Sequence, residues 1–115
     1  MSIYVITSEE KEHFGRYKVG RTASTKSGIL SAYTRHLGKP ILKYYKTVQQ
    51  GHDYKSLEAD ILQDLQMFRT KTHTGRYSEW VQIGLSSLII IIENAFEILY
   101  QGDSIEDSTD EDSTD

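Results

Sequence analysis

Apolar residues follow two rhythms along this chain. Ile3-Tyr4-Val5-Ile6-Thr7 is β-branched and aromatic, which predicts a strand. Ser8 to Gly15 is polar and ends on glycine, which predicts a loop. Alternation resumes at Tyr17-Lys18-Val19-Gly20-Arg21, so the two runs are expected to pair as a hairpin with Tyr4 and Tyr17 on one sheet face. Ser27 is placed to cap a helix over 28–37, with Ile29, Tyr33 and His36/Leu37 along one stripe. Gly38 and Pro40 stop that helix, since glycine takes the left-handed cap and proline cannot continue.

A third strand is predicted over Ile41-Leu42-Lys43-Tyr44-Tyr45-Lys46-Thr47-Val48. Leu57, Ile61, Leu65 and Phe68 recur at helical spacing behind Asp53 or Ser56 as the starting residue. Thr70 to Tyr77 is polar and contains Gly75, an expected exposed loop, and Ser78 to Ile83 around Trp80 reads as a short strand. The last run is ambiguous: four consecutive isoleucines favour a strand, whereas Leu85, Leu88, Ile92, Ala95/Phe96 and Leu99 make a helical face. The pattern outlasts an ordinary strand, so helix is preferred. The expected order is β-β-α-β-α-β-α, an α+β fold with a small mixed sheet of three strands, or four if the Trp80 run joins, flanked by helices.

A length of 115 residues suits one compact domain, at roughly 100–200 residues per domain. That domain is expected over 1–102. Beyond it, Glu-Asp-Ser-Thr-Asp occurs twice in succession over 106–115, with no apolar residue after Ile105. Such a segment buries too little to offset its ordering entropy, so 103–115 is expected to be a disordered acidic tail.

Charge changes the picture. The net charge of −4 argues against a nucleic-acid binder until it is divided along the chain. Residues 103–115 hold seven acids and no base, and residues 1–102 carry 13 bases against 10 acids. Residues 13–52 contain no acid and eight bases: Arg16, Lys18, Arg21, Lys26, Arg35, Lys39, Lys43 and Lys46. This asymmetry points to a surface that faces a polyanion, joined to an acidic tail that is free to engage a protein partner. An ordinary solvated basic face remains the alternative. No run approaches the ~20 apolar residues of a membrane span and no leader-like block opens the sequence, so an intracellular, cytoplasmic or nuclear chain without membrane contact is expected.

Several chemistries are excluded at this level. There is no cysteine, hence no disulfide and no thiolate metal site. His13, His36, His52 and His73 are widely spaced, which disfavours zinc. No Gly-x-x-x-x-Gly-Lys-Ser/Thr loop and no Gly-x-Ser-x-Gly elbow occurs, so neither nucleotide hydrolysis nor a serine nucleophile is expected, and no haem or nucleotide cofactor is expected. What remains is a set of tyrosines, arginines and carboxylates: Tyr4 and Tyr17 in paired strands, Arg35 beside His36 on the first helix, and Glu58 at the edge of the second helix's apolar stripe. Each also has a structural explanation, as packing tyrosines or a half-buried ion pair.

Together these residues resemble the GIY-YIG nuclease superfamily. The correspondence runs through Ser2-Ile3-Tyr4, then Tyr17-Lys18-Val19-Gly20-Arg21-Thr22, then Tyr33-Thr34-Arg35, then Glu58 in Leu57-Glu58-Ala59-Asp60-Ile61-Leu62. The Tyr-Lys-Val-Gly-Arg-Thr string and Ser78-Glu79-Trp80 are more similar to its phage and large-DNA-virus branch, a DNA-binding domain named after an open reading frame of phage T-five. The match spans about residues 2–82.

The resemblance implies an Mg²⁺- or Mn²⁺-dependent endonuclease acting on DNA. Tyr4 would deprotonate water, helped by Tyr17 and neighbouring cations that lower its pKa. Glu58 would hold the ion, and Arg35 would stabilise phosphate charge, with Arg21 and His36 as further candidates. Lys18, Arg21, Lys26, Arg35 and Lys39 would contact DNA. Two departures stand out: Ser2 replaces the first motif's glycine, and the helix arginine comes late, with Ala32 in its usual slot. An inactive DNA-binding module of the same fold and an interaction protein acting through its acidic tail are the alternatives.

Overall fold

The computed structural model describes the backbone of residues 1–114 and the side chains of residues 1–101. The expectations of disorder and of a protein partner for 103–115 fall outside those described side chains.

In chain order the elements are β1 (Ser2–Ser8), α1 (Glu9–His13), β2 (Arg16–Thr22), α2 (Lys26–Leu37), β3 (Pro40–Thr47), α3 (Tyr54–Asp64), a 3-10 turn (Gln66–Phe68), β4 (Arg69–Lys71), β5 (Tyr77–Gln82) and α4 (Leu85–Thr114). The strands form one five-stranded sheet in the order β3-β1-β2-β5-β4, and every pair is antiparallel. This corrects the expected mixed sheet of three or four strands. The class, α+β, is as expected.

β1 lies inside the sheet and all seven of its residues are buried, so both of its faces are covered. Ile3 and Val5 face a core with Leu57 and Ile61 of α3 and Leu88, Ile92, Ala95 and Phe96 of α4. Tyr4 and Ile6 face the other side, where Ile29, Tyr33 and Leu37 of α2 cover them. The layers are therefore α2, sheet, then α3 with α4. Burying these side chains on two faces drives the fold, at about 1.5–3 kcal/mol for each fully buried aliphatic.

Local chemistry sets the helix starts. The Thr25 side chain, rather than Ser27, caps α2 by accepting from the Gly28 amide. Asp53 caps α3 through the amides of Lys55 and Ser56. Ser8 caps α1, whose first turn holds Glu9, Glu10 and Glu12 against the positive end of the helix dipole. That helix replaces the predicted loop.

The expected loop over 70–77 is instead a tight hairpin. The Gly75 amide donates to the Thr72 carbonyl, Gly75 has φ 85°, and the Thr72 amide donates to Arg76, which locks β4 against β5. At the other end of the sheet, Tyr44 Oη and Lys46 Nζ donate to the two oxygens of Glu93 at 2.5 and 3.0 Å, tying α4 to β3. Among the described residues no helix is long and apolar enough to cross a membrane.

Candidate active site

β5 pairs with β2 only at Arg16 and Tyr17. Beyond Tyr17 the outer edge of β2 has no strand partner among the described residues, and a cleft of about 690 Å³ occupies the gap. Its wall includes Tyr4 from β1, Lys18, Gly20 and Arg21 from β2, Glu58 from α3, Arg69 from β4 and Glu79 from β5. Because β2 is unpaired there, side chains from both of its faces reach the same space.

The register puts Tyr4 opposite Gly20 and Ile6 opposite Lys18, so Gly20 and Lys18 share the face of Tyr4. Glycine is needed at that point: a β-carbon on Gly20 would stand 2.5 Å from Tyr4 Oη and 2.6 Å from its Cζ. The phenol lies across the strand and meets Tyr33 Oη at 2.8 Å. Lys18 Nζ sits 5.1 Å over the Tyr33 ring and pairs with Glu79 at 2.9 Å. On the α3 side, Arg21 Nε donates to Glu58 Oε1 at 2.9 Å.

Tyr17 is not in the cleft. By the parity of the same register it belongs to the opposite face, in the core with Val19 and Val81. Its hydroxyl donates to Glu12 at 3.1 Å, and Glu12 is also held by Lys43 at 2.9 Å. The expectation that both tyrosine rings share one face is thus corrected: Lys18, one residue on, stands where the second ring was expected.

Arg35 and His36 are exposed on α2 and do not line the cleft. Lys26 stacks on Tyr45 at 5.6 Å, and Lys39 borders a surface lined by Glu9, Glu10 and Glu12. Of the predicted set, Tyr4, Lys18, Arg21 and Glu58 come together, and Tyr17, Lys26, Arg35, His36 and Lys39 lie elsewhere. Tyr33, Arg69 and Glu79 are the cleft and near-cleft residues that sequence reasoning gave no role. Counting parity from Tyr4 opposite Gly20 would have nominated Lys18 over Tyr17; no comparable signal marks Arg69.

Electrostatics in the cleft run against the expected lowering of the Tyr4 pKa. Burial pushes the Tyr4 phenol well above its ordinary value, and the Tyr33 hydrogen bond and the charges of Glu58 and Glu79 push the same way. Tyr4 is a neutral hydroxyl at neutral pH. Burial alone would lower the Lys18 ammonium, but pairing with Glu79 and Tyr33 outweighs it and keeps the group firmly charged. Lys18 in turn holds the Glu79 carboxyl below its ordinary range.

Among the described residues no group of three His, Asp or Glu side chains is arranged to hold a metal ion. Glu58 and Glu79 are the two carboxylates lining the cleft, and Glu79 is held by Lys18. Glu58 is itself paired through Oε1 with Arg21. A single carboxylate in an open cleft suits an ion that keeps most of its waters and takes a substrate phosphate, as Mg²⁺ does.

A family comparison covers most of the chain. Residues 1–96 match the T5orf172 domain, a span from β1 to Phe96 in the core-facing side of α4. The chain belongs to the T5orf172 domain family. This domain is found in phage and bacterial nuclease-like proteins, and membership suggests a DNA-acting role with DNA as the partner. No curated protein and no solved structure matches the chain. In this T5orf172 domain, the matched span contains every described residue of the cleft.

Proposed function

We propose that this T5orf172 domain is a GIY-YIG-type endonuclease that hydrolyses phosphodiesters in DNA with Mg²⁺ or Mn²⁺. The observation that carries the reading is convergence. Tyr4, Arg21 and Glu58 come from β1, β2 and α3, widely separated in sequence, and line one cleft.

The chain's own groups divide the work. Tyr4 Oη passes its proton along the 2.8 Å hydrogen bond to Tyr33 Oη, which releases its own hydroxyl proton to solvent, and the Tyr4 phenolate then accepts the proton of the attacking water. Lys18 fixes positive charge beside this hydroxyl pair. Arg21, rather than Arg35, faces the cleft and supplies charge to the phosphate oxygens, where a guanidinium offers two parallel donors. Glu58 would hold the metal ion, which when bound would add positive charge at the phosphate and offset the Glu58 charge that disfavours the Tyr4 phenolate.

A second reading, a DNA-binding module without turnover, draws on one observation: the cleft holds the Tyr4 phenol neutral instead of readying a phenolate. Incubation of supercoiled DNA with pure protein, in Mg²⁺ and in chelator, separates the two. Nicking in Mg²⁺ only is expected, together with its loss in Tyr4→Phe and Glu58→Ala and retained DNA affinity in Tyr4→Phe. Cutting that persists in chelator, or in both variants, refutes the assignment. Binding without cutting establishes the second reading.

A further inference from the structure

The β4 edge of the sheet carries a second cationic surface. A shallow groove of about 470 Å³ is lined by Arg16, Met67, Phe68, Arg69, Thr70, Lys71 and Gln82. Three of these are cations, and no acid lies in the wall. Among the described residues, none of the three makes an ion pair. Arg16 Nε is buried and has no hydrogen-bond partner among the described residues. Arg69 and Lys71 lie over the ring of Tyr77, at 5.5 and 5.3 Å, and Arg69 Nε donates to the Ser78 carbonyl at 3.0 Å.

Arg69 also acts on the Glu79 carboxylate across the cleft, but no acid lines the groove itself. Like charges gathered there repel one another, and a buried guanidinium nitrogen without an acceptor costs free energy. An anion in the groove relieves both. Residues 65–78 contain no Asp or Glu, so the hairpin beyond the groove adds Arg76 and no opposing charge. Arg69 lines the groove and the cleft alike, so the two surfaces adjoin at its side chain.

We propose that this groove binds a backbone phosphate of the DNA whose neighbouring segment lies in the cleft, with Arg16, Arg69 and Lys71 as its ligands. The inference rests on the DNA-acting reading and gives that reading a second contact. The alternative role for the cations is protection of an edge strand against pairing with another chain, for which lysine and arginine are the usual means. Edge protection needs charge at the edge. It does not need Arg16, which sits on β2, two strands inside the sheet.

The test is a salt series of binding isotherms with a fluorescein-labelled DNA duplex, using the wild type, Arg16→Gln/Lys71→Gln, Arg21→Ala, and Lys55→Gln as an exposed cation on α3 away from both surfaces. Each lost phosphate contact lowers the slope of log K against log salt by about 0.9. A drop of up to about 2 is expected for the double variant and none for Lys55→Gln. Thermal melts check that the double variant folds as the wild type does. An unchanged slope in a folded double variant, with Arg21→Ala weakened, overturns the groove and leaves the DNA reading intact. An equal drop in Lys55→Gln also overturns it, as a diffuse charge effect. No duplex binding by the wild type overturns both readings.

Discussion

Gly20→Ala tests the link between the second motif and the tyrosine of the first. The added β-carbon would lie 2.5–2.6 Å from Tyr4 Oη and Cζ, and comfortable contact between carbons begins near ~3.5 Å. The ring must therefore move by about 1 Å, which carries the 2.8 Å contact with Tyr33 beyond hydrogen-bonding range. Overpacking costs about 1–3 kcal/mol and the lost hydrogen bond about 0.5–1.5 kcal/mol. Gly20 does not have positive φ, so alanine also restricts the unfolded chain and returns about 0.4–1 kcal/mol. The balance is a loss of about 2 kcal/mol, or roughly 8 °C in Tm for a domain of this size. The assay is a double-mutant cycle by thermal denaturation with Tyr4→Leu, which removes the ring. In that background Gly20→Ala should be neutral or stabilising, a coupling of about 2 kcal/mol. Equal losses in both backgrounds would refute the proposed ring-over-glycine contact.

Two further outcomes follow from the geometry. Arg21→Ala should slow DNA cleavage by roughly 10²-fold or more, about 2.7 kcal/mol, whereas Arg35→Ala on the exposed face of α2 should stay near wild type; the reverse order in single-turnover assays would return the role to the helix arginine. The hydrogen bond from Tyr44, then Lys46, holds the Glu93 carboxyl below its ordinary range. Its folded pKa is depressed, so its stabilisation is present above the unfolded value of ~4.3 and is lost as pH falls through the folded value. Glu93→Gln should therefore flatten the acid limb of stability against pH below about 4.3, and superimposable limbs would remove α4's clamp as the cause.

The long elements were legible because their apolar spacing is set by the core they enter. Leu57, Ile61 and Leu65, and Leu88 and Ile92, are buried as their periodicity requires. α1 and β4 were not legible, being five and three residues long, too short for either rhythm to register. Capping by Ser8 and the turn at Gly75 create them instead. Within the site, Tyr4, Arg21 and Glu58 were recoverable from motif order, but the face of Tyr17 was not, because a one-residue step in register moves a side chain across the sheet.

The acid-free block over 13–52 was the least faithful guide. All four ion pairs of the described residues draw their cation from it: Lys18 to Glu79, Arg21 to Glu58, Lys43 to Glu12 and Lys46 to Glu93. Linear charge ignores partners brought in by folding. The cations that line the groove without acids come partly from outside that block, as Arg69 and Lys71 do.

β1 has a consequence for the birth of the molecule. It precedes the other elements of the domain in the chain, carries no charge, and consists of residues that all end buried between two other strands and two helix layers. On the ribosome it emerges as a sticky, high-propensity strand well before β3 and α4 exist to cover it. Glu9, Glu10, Lys11 and Glu12 follow at once, and four charges abutting an aggregation-prone run act as gatekeepers while synthesis continues. The same acids then lie in the first turn of α1 and, through Glu12, hold Lys43 on the strand that finally shields β1. Neutralising them should appear first as inclusion bodies during expression, before any change in the melting of the purified protein.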